Sequence, residues 1–145
     1  MSGILEGKRA VVTGGSGILG RDMALALAED GATVYLGARS LASAQKAIDA
    51  VLQSHPEKDL LSSRLVPLIF DVTNTESLKE AAARVESDGM ADILVNAAGG
   101  NRPAASTTPE KDFFSLDLSA IEEVMQPSFR AAMPAANAWV ACSVP

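Results

Sequence analysis

A glycine-rich turn between an apolar strand and an amphipathic helix is the feature that most limits how this chain can fold. The stretch reads Ala10-Val-Val-Thr-Gly-Gly-Ser-Gly-Ile-Leu-Gly20, in which Gly15, Gly17 and Gly20 have the spacing G-x-G-x-x-G. Glycines at this spacing let the backbone turn sharply, approach a pyrophosphate and pack a helix closely on its strand. The free N–H groups at the helix start favour a phosphate. The motif therefore predicts nucleotide binding, and a merely connecting glycine turn is the alternative.

Strand and helix patterns alternate after this turn. We predict strands over residues 8–13, 32–37, 64–71 and 92–96 and helices over residues 18–29, 41–53, 76–86 and about 118–125. Thr73 or Asn74 can cap the third helix, and Pro67 fits the margin of its strand better than the centre. The fourth strand is apolar, as a strand covered on both faces should be. The pattern predicts an α/β fold with an incomplete doubly wound parallel sheet of about four strands and flanking helices.

Composition excludes several classes of partner. The 145 residues carry a net charge of −6 with no basic stripe, which argues against a nucleic-acid partner. No apolar run approaches the length needed to cross a membrane, and no apolar signal core precedes the first strand. The single cysteine, Cys142, favours a reducing compartment, so a cytoplasmic location is expected. No cluster of His and Cys residues supports a metal site.

The loop after the second strand bears on the choice of cofactor. Folds that bind NAD usually place an Asp or Glu there, about 20 residues beyond the glycine turn, to bind the ribose hydroxyls. This chain instead has Ala38-Arg39-Ser40. No acid repels a 2′-phosphate, and the planar guanidinium of Arg39 can pair with one. The loop predicts NADP(H) as the preferred cofactor, with NAD(H) as the second choice and a solvated Arg39 as the alternative interpretation.

Three motifs together resemble the short-chain dehydrogenase/reductase superfamily over roughly residues 5–125. They are Thr13-Gly-Gly-Ser-Gly-Ile-Leu-Gly20, Asp71-Val72 after the third strand and Asn96-Ala-Ala-Gly99 after the fourth. The first departs from the commonest pattern, T-G-x-x-x-G-x-G, because the middle glycine is Gly17 and position 18 is Ile. The resemblance implies a Rossmann fold and an NAD(P)(H)-dependent oxidoreductase that acts on a carbonyl or sugar-acid substrate.

The resemblance also implies a role for each matching residue. The pyrophosphate would be bound by Gly14, Ser16, Gly17, Ile18 and Gly20. The adenosine end would be bound by Asp71, which accepts a hydrogen bond from the adenine amino group, by Val72 on the adenine ring, and by Asn96, Ala97 and Gly99 at the ribose. From the residues alone, Asp71 is more simply a turn cap and Asn96 a turn residue after a strand.

Within the superfamily, two further stretches resemble the branch that reduces fructuronate to mannonate. They are Asn96-Ala-Ala-Gly-Gly-Asn-Arg-Pro-Ala-Ala105 and Phe113-Phe-Ser-Leu-Asp-Leu118. Dienoyl-CoA reductase-like enzymes are the competing branch. An arginine near the nicotinamide end could hold a sugar-acid carboxylate, so Arg102 is a candidate substrate contact, with a solvated loop residue as the alternative.

No catalytic residue can be assigned from the sequence. Superfamily members use a Tyr-x-x-x-Lys pair, an upstream Ser and an Asn in the helix after the fourth strand to handle the substrate proton. The only tyrosine, Tyr35, lies in the second strand, and Arg39 stands where the Lys would be. We therefore expect a chain truncated before the catalytic Ser and Tyr-x-x-x-Lys and inactive alone, with a non-catalytic nucleotide-binding fragment as the alternative function. S-adenosylmethionine methyltransferases form a third, disfavoured class.

Residues 126–145 differ abruptly in composition from the rest of the chain. This stretch contains three of the seven prolines, the only tryptophan and the only cysteine, and Pro127 and Pro134 would interrupt a helix. We divide the chain into residues 1–125, the N-terminal part of a Rossmann domain, and an aberrant Pro/Ala-rich tail, residues 126–145. A shifted reading frame, an alternative exon junction or a mispredicted gene is favoured over a diverged C-terminus. The fourth strand would then have a bare edge that can self-associate.

Overall fold

Strands and helices alternate through the part of the chain that the computed structural model describes, which is residues 3–56 and 60–126 with the single positions Ser128, Ala136 and Trp139. The elements are β1 (Arg9–Thr13), α1 (Ile18–Glu29), β2 (Thr33–Ala38), α2 (Leu41–Ser54), α3 (Leu61–Arg64), β3 (Leu65–Ile69), α4 (Thr75–Asp88), β4 (Ile93–Asn96) and α5 (Leu118–Met125). Two short 3₁₀ turns, Pro103–Ala105 and Phe113–Ser115, lie between β4 and α5. The predicted succession of strands and helices is confirmed, and the short helix α3 is an addition.

All four strands lie parallel in one sheet, in the order β3-β2-β1-β4. The chain moves outward from β1 through β2 to β3 and then returns to the other side of β1. There β4 pairs with β1 in a register that runs from Ala10 opposite Ile93 to Thr13 opposite Asn96. The direction in which strands are added therefore reverses between β1 and β4, and doubly wound sheets bind ligands at this type of switch point. The predicted incomplete Rossmann sheet of four strands is confirmed.

Side chains from alternate positions of the strands form a core on each face of the sheet. On one face, Val12 and Leu36 are fully buried beneath α1 and α2. On the other face, Val11 and Tyr35 pack against the apolar side of α4, which includes the fully buried Leu78. Burying one large apolar side chain stabilises a fold by about 1.5–3 kcal/mol. Both layers of helices therefore hold the carboxyl ends of the strands in fixed relative positions.

Two strands differ in detail from the predictions. Pro67 lies at the centre of β3, in register with Leu36, and not at the margin. Within the described ranges β3 pairs only with β2, and an outer strand can accommodate a residue that lacks an N–H group. The apolar residues of β4, which were expected to be covered on both faces, are only half-buried. Their outer edge has no pairing strand among the described residues.

Most of the predicted tail lies outside the described residues, including Pro127, Pro134 and Cys142. Trp139 is described and belongs to the core on the α4 face, where it is buried. Its ring packs edge-on against Phe70, with the ring centroids 6.5 Å apart. Trp139, which falls in the predicted tail, therefore contributes its side chain to the core of the domain.

The cap of α4 generates a prediction about stability. The Asn74 Oδ1 atom accepts hydrogen bonds from the backbone N–H groups of Glu76 and Ser77, at 3.0 and 3.1 Å. Asn74→Ala removes the acceptor and should lower the free energy of unfolding by about 1 kcal/mol. Asn74→Asp keeps an acceptor and should lose much less. Urea denaturation measures both values, and an equal loss in the two variants would contradict a capping role.

Candidate functional site

A cleft opens at the carboxyl ends of the strands, between the turn after β1 and the segment after β4. It encloses about 1300 Å³, which exceeds the roughly 300–1,000 Å³ of most small-molecule pockets. The loop after β2, the segment after β3 and one side of α5 complete its walls. The predicted cofactor and substrate residues that line the cleft are Gly14, Ser16, Gly17, Ile18, Gly20, Arg39, Asp71, Val72, Ala97, Gly99 and Arg102.

Asn96 is the predicted site residue that does not line the cleft. It ends β4, in register with Thr13, and is exposed to solvent. The lining of the cleft begins at the next residue, Ala97, which lies beyond the end of β4.

Three glycines of the first turn are required by the packing of the protein itself. Gly14 has a φ of +63°, and a Cβ there would lie 2.7 Å from the Cα atom of Ala98. A Cβ on Gly15 would lie 2.7 Å from the Leu36 Cγ atom, and one on Gly20 would overlap the carbonyl oxygen of Gly14. These residues let the turn contact β2, α1 and the segment after β4 at the same time.

Gly17 differs because only one atom lies near the position of its missing side chain. A Cβ there would approach only the carbonyl oxygen of Gly14, at 3.3 Å. Gly17 is the N-cap residue of α1, no side chain caps this helix, and its first turn contains no acidic residue. The first N–H groups of a helix have no acceptor within the helix. Together with the helix dipole, they make this end of the cleft favourable for an anion.

Asp71 follows β3 and fixes the turn that leads to α4. Its Oδ1 atom accepts hydrogen bonds from the hydroxyl and the backbone N–H of Thr73, at 2.7 and 2.8 Å. These two hydrogen bonds hold the pKa of Asp71 below its ordinary value of 3.8, and the nearby charge of Arg39 lowers it further against the opposing effect of burial. The carboxylate is therefore ionised at neutral pH. Oδ1 acts as the turn cap, while Oδ2 has no hydrogen bond within the described ranges.

Arg39 is an exposed cation at the loop after β2. Its guanidinium has no ion pair or hydrogen bond to another residue in the described part of the chain. The next residue, Ser40, caps α2 by accepting a hydrogen bond from the Ser43 backbone N–H at 3.2 Å. The capped helix fixes the backbone beside Arg39, so its charge stays at the edge of the cleft.

Arg102 is a cation of a different kind. Its Nη1 atom forms an ion pair with the Glu123 Oε2 atom at 3.0 Å, which joins the segment after β4 to α5. Both side chains are more than half exposed, so this pair contributes little to stability. The pair does offset the positive charge of Arg102 at this end of the cleft.

Sequence reasoning did not single out Thr13 and Phe70. Thr13 is buried, and its Oγ1 atom accepts a hydrogen bond from the backbone N–H of Ala98 at 3.0 Å, which joins the ends of β1 and β4. Phe70 is buried and forms part of the cleft wall beside Gly37. The sequence does show Thr13 as a polar residue at the end of an apolar strand. It does not show the hydrogen-bond partner of Thr13, because Ala98 lies 85 residues further along the chain.

Tyr35 lies outside the cleft. Its hydroxyl donates a hydrogen bond to the Asp88 Oδ2 atom at 3.0 Å, at the C-terminal end of α4. Burial, followed by this hydrogen bond, raises the pKa of Tyr35 above its ordinary value of 10.0. The tyrosine therefore supports the packing of α4 on β2 and takes no part in the candidate site.

A search of the described ranges found no helix with the length and apolar character of a membrane span. The same part of the chain contains no group of three His, Cys, Asp or Glu side chains arranged to hold a metal ion.

Comparison with known proteins identifies the family. The model of the short chain dehydrogenase family matches residues 8–142. The chain belongs to the short-chain dehydrogenase family. One relative is an uncharacterized oxidoreductase from Haemophilus influenzae, which is 33% identical over 131 residues; the match covers 83% of this chain and 44% of that protein. The chain spans about half the length of the curated relatives it matches, or less.

Solved structures of the family have the same fold. A protein assigned as a D-mannonate oxidoreductase from Haemophilus, crystallised with NAD, is 26% identical with a TM-score of 0.76 over 97% of this chain and 51% of that one. The N-domain of a bacterial malonyl-CoA reductase, solved with NADP, is 31% identical with a TM-score of 0.76 over 96% of this chain and 27% of that one. These short-chain dehydrogenase neighbours include both an NAD complex and an NADP complex.

The different surroundings of two glycines predict different effects of alanine. Gly20→Ala places a Cβ against the Gly14 carbonyl, so it should lower the free energy of unfolding by about 1–3 kcal/mol. Gly17→Ala introduces the same methyl group 3.3 Å from a single carbonyl oxygen and should lower it by less than about 1 kcal/mol. Thermal or urea denaturation compares the two variants. A Gly17→Ala variant less stable than Gly20→Ala would contradict the geometry of the turn.

The lowered pKa of Asp71 predicts a dependence on pH. A carboxyl group whose pKa is lower in the folded state stabilises the fold above its unfolded pKa, and this contribution is lost as the pH falls through the folded pKa. Asp71→Asn keeps the Oδ1 acceptor and removes the charge. The stability difference between the original protein and this variant should be constant from about pH 7 to about pH 5 and shrink below about pH 4. Urea denaturation across this range measures it, and a difference that grows on acidification would contradict the assignment.

Proposed function

We propose that this chain binds a nicotinamide dinucleotide in the cleft and forms the cofactor-binding part of an NAD(P)(H)-dependent oxidoreductase. The observation that carries the proposal is the start of α1, which has no side-chain cap and no acidic residue in its first turn and which lines the cleft at Gly17 and Ile18. A pyrophosphate fits this position because it supplies the negative charge and the acceptor oxygens that the protein does not.

We infer the following roles in the cleft. The pyrophosphate contacts Gly14, Ser16, Gly17, Ile18 and Gly20. The adenosine end contacts Asp71, Val72, Ala97 and Gly99. The Oδ2 atom of Asp71 would accept the hydrogen bond from the adenine amino group, because Oδ1 already binds Thr73. Asn96, at the end of β4, would support the central strands from outside the cleft.

NADP(H) is the proposed cofactor in preference to NAD(H). Arg39 supports this proposal because it is an exposed cation at the edge of the cleft, and a phosphate on the adenosine ribose would be a suitable bidentate partner. The carboxylate of Asp71 is near enough to be affected by the charge of Arg39 but forms no ion pair with it. NAD(H) is the second choice, because one of the similar solved structures contains bound NAD.

The proposed substrate is a carbonyl compound or a sugar acid. The resemblance to mannonate oxidoreductases supports the sugar acid, and Arg102 could bind its carboxylate if the ligand replaces Glu123. The single tyrosine, Tyr35, is followed four positions on by Arg39 and not by Lys, and the catalytic Ser cannot be assigned, so we propose that this chain alone does not catalyse the reaction. A non-catalytic nucleotide-binding fragment is the second candidate. We also propose a cytoplasmic location, on the evidence of the single Cys142, and self-association through the edge of β4.

Titration of the full chain with NADPH and with NADH tests cofactor binding and the role of Arg39. Arg39→Ala should weaken NADPH binding by about 10-fold or more, since hydrogen bonds to charged groups contribute roughly 1.5–3 kcal/mol. Binding of NADH should not change. Lys46→Ala removes an exposed cation from α2 outside the cleft and serves as the matched control. Equal losses for the two cofactors would contradict the assignment of Arg39.

Turnover separates the two candidate functions. The same protein is incubated with NADPH and fructuronate, and the oxidation of the cofactor is followed by absorbance. Binding without turnover supports the proposed division between cofactor binding and catalysis. Turnover by the purified chain would contradict it, and failure to bind either cofactor would contradict the proposed function as a whole.

A further inference from the structure

We propose that Trp139 is a positioning residue of the cleft, acting through Phe70, and that binding at the adenosine end is coupled to the packing of the Trp139 side chain against Phe70. The inference rests on the proposed function. It concerns a contact between the core and a part of the chain that no sequence motif connects with nucleotide binding.

Phe70 belongs to both the cleft and the core. It precedes Asp71 and Val72, and these three consecutive residues line the cleft. The Phe70 ring is only 3% exposed, because it packs beside Gly37 and against Trp139. A movement of this ring would therefore change the wall on which the proposed adenine ring packs.

Trp139 fixes the Phe70 ring from the side of the core. The two rings meet edge to face, with an interplanar angle of 63° and centroids 6.5 Å apart. Such aromatic pairs contribute beyond their buried area and prefer this geometry. Trp139 is 4% exposed and packs in the same apolar cluster as Val72, the other apolar residue of this wall. Loss of the indole would leave Phe70 without part of its packing.

This arrangement makes the coupling reciprocal. If the packed Trp139 favours the wall geometry that binds adenosine, then bound adenosine favours the packed Trp139 by the same free energy. Because interiors are close-packed, small shifts of Phe70 are transmitted directly to its neighbour. A ligand at the adenosine end should thus be detectable at Trp139, which does not line the cleft.

The fluorescence of the full chain provides the first test, because Trp139 is its only tryptophan. The probes are adenosine 2′,5′-bisphosphate, which represents the adenosine end of NADP, and nicotinamide mononucleotide, which represents the other end. The bisphosphate should change the tryptophan emission with a midpoint equal to its Kd from calorimetry. The mononucleotide should leave the emission unchanged. Calorimetric binding of the bisphosphate without any change in emission would overturn the inference.

Variants provide the second test. Trp139→Ala should raise the Kd of the bisphosphate by about fivefold or more, the lower end of typical coupling energies, while Trp139→Phe keeps a ring against Phe70 and should raise it less. Phe114→Ala removes an aromatic ring that is 93% exposed and outside the cleft, and it serves as the matched control. If Trp139→Ala does not fold, Trp139→Phe and Phe70→Leu supply the same comparison of Kd values.

The outcomes distinguish this inference from the proposed function. A purely structural role for Trp139 predicts that the variants lower the melting temperature without changing the Kd of the bisphosphate, and that result would overturn the inference. Calorimetry that detects no binding of the bisphosphate or of NADPH to the original protein would overturn the proposed function first. A selective loss of bisphosphate affinity, together with the emission change, supports both.

Discussion

The close contact between the turn after β1 and the segment after β4 is the constraint on which the rest of the structure depends. The Thr13 Oγ1 atom accepts a hydrogen bond from the Ala98 backbone N–H at 3.0 Å. The next residue must be glycine, because a Cβ on Gly14 would lie only 2.7 Å from the Cα atom of Ala98. This contact joins the two adjacent strands at which the order of the sheet reverses. The cleft opens at the carboxyl ends of these strands, where doubly wound sheets bind their ligands.

The glycines of the first turn serve two separate purposes. Gly14, Gly15 and Gly20 allow the backbone to pack against the protein's own atoms, whereas Gly17 has only one atom near its missing side chain and stands at the start of a helix without a side-chain cap. A short motif of this kind therefore combines the requirements of folding with those of ligand binding. This combination explains why the spacing alone is weak evidence for function and why the surroundings of each glycine distinguish the two roles.

The charges around the cleft are arranged unevenly. Arg102 is offset by Glu123 at 3.0 Å, while Arg39 has no ion pair within the described ranges and lies near a carboxylate that other hydrogen bonds already hold. Within the described ranges, the groups of the cleft that favour negative charge and lack a protein partner are therefore the guanidinium of Arg39 and the first N–H groups of α1. They form a local positive region in a chain whose net charge is −6.

The sequence by itself determined the elements of this protein, because the periodicity of apolar residues and the capping residues act over a few neighbouring positions. It predicted the alternation of strands and helices, a cap at Thr73 or Asn74, and 11 of the residues that line the cleft. It did not predict the wall formed by Phe70 or the contribution of α5, and Asn96 lies outside the cleft. Only the tertiary structure decided the strand order, the acceptance of Pro67 in an outer strand and the contacts of Thr13 with Ala98 and of Phe70 with Trp139. Those contacts join residues far apart in the chain, and local sequence preferences carry no information about which distant surfaces will meet.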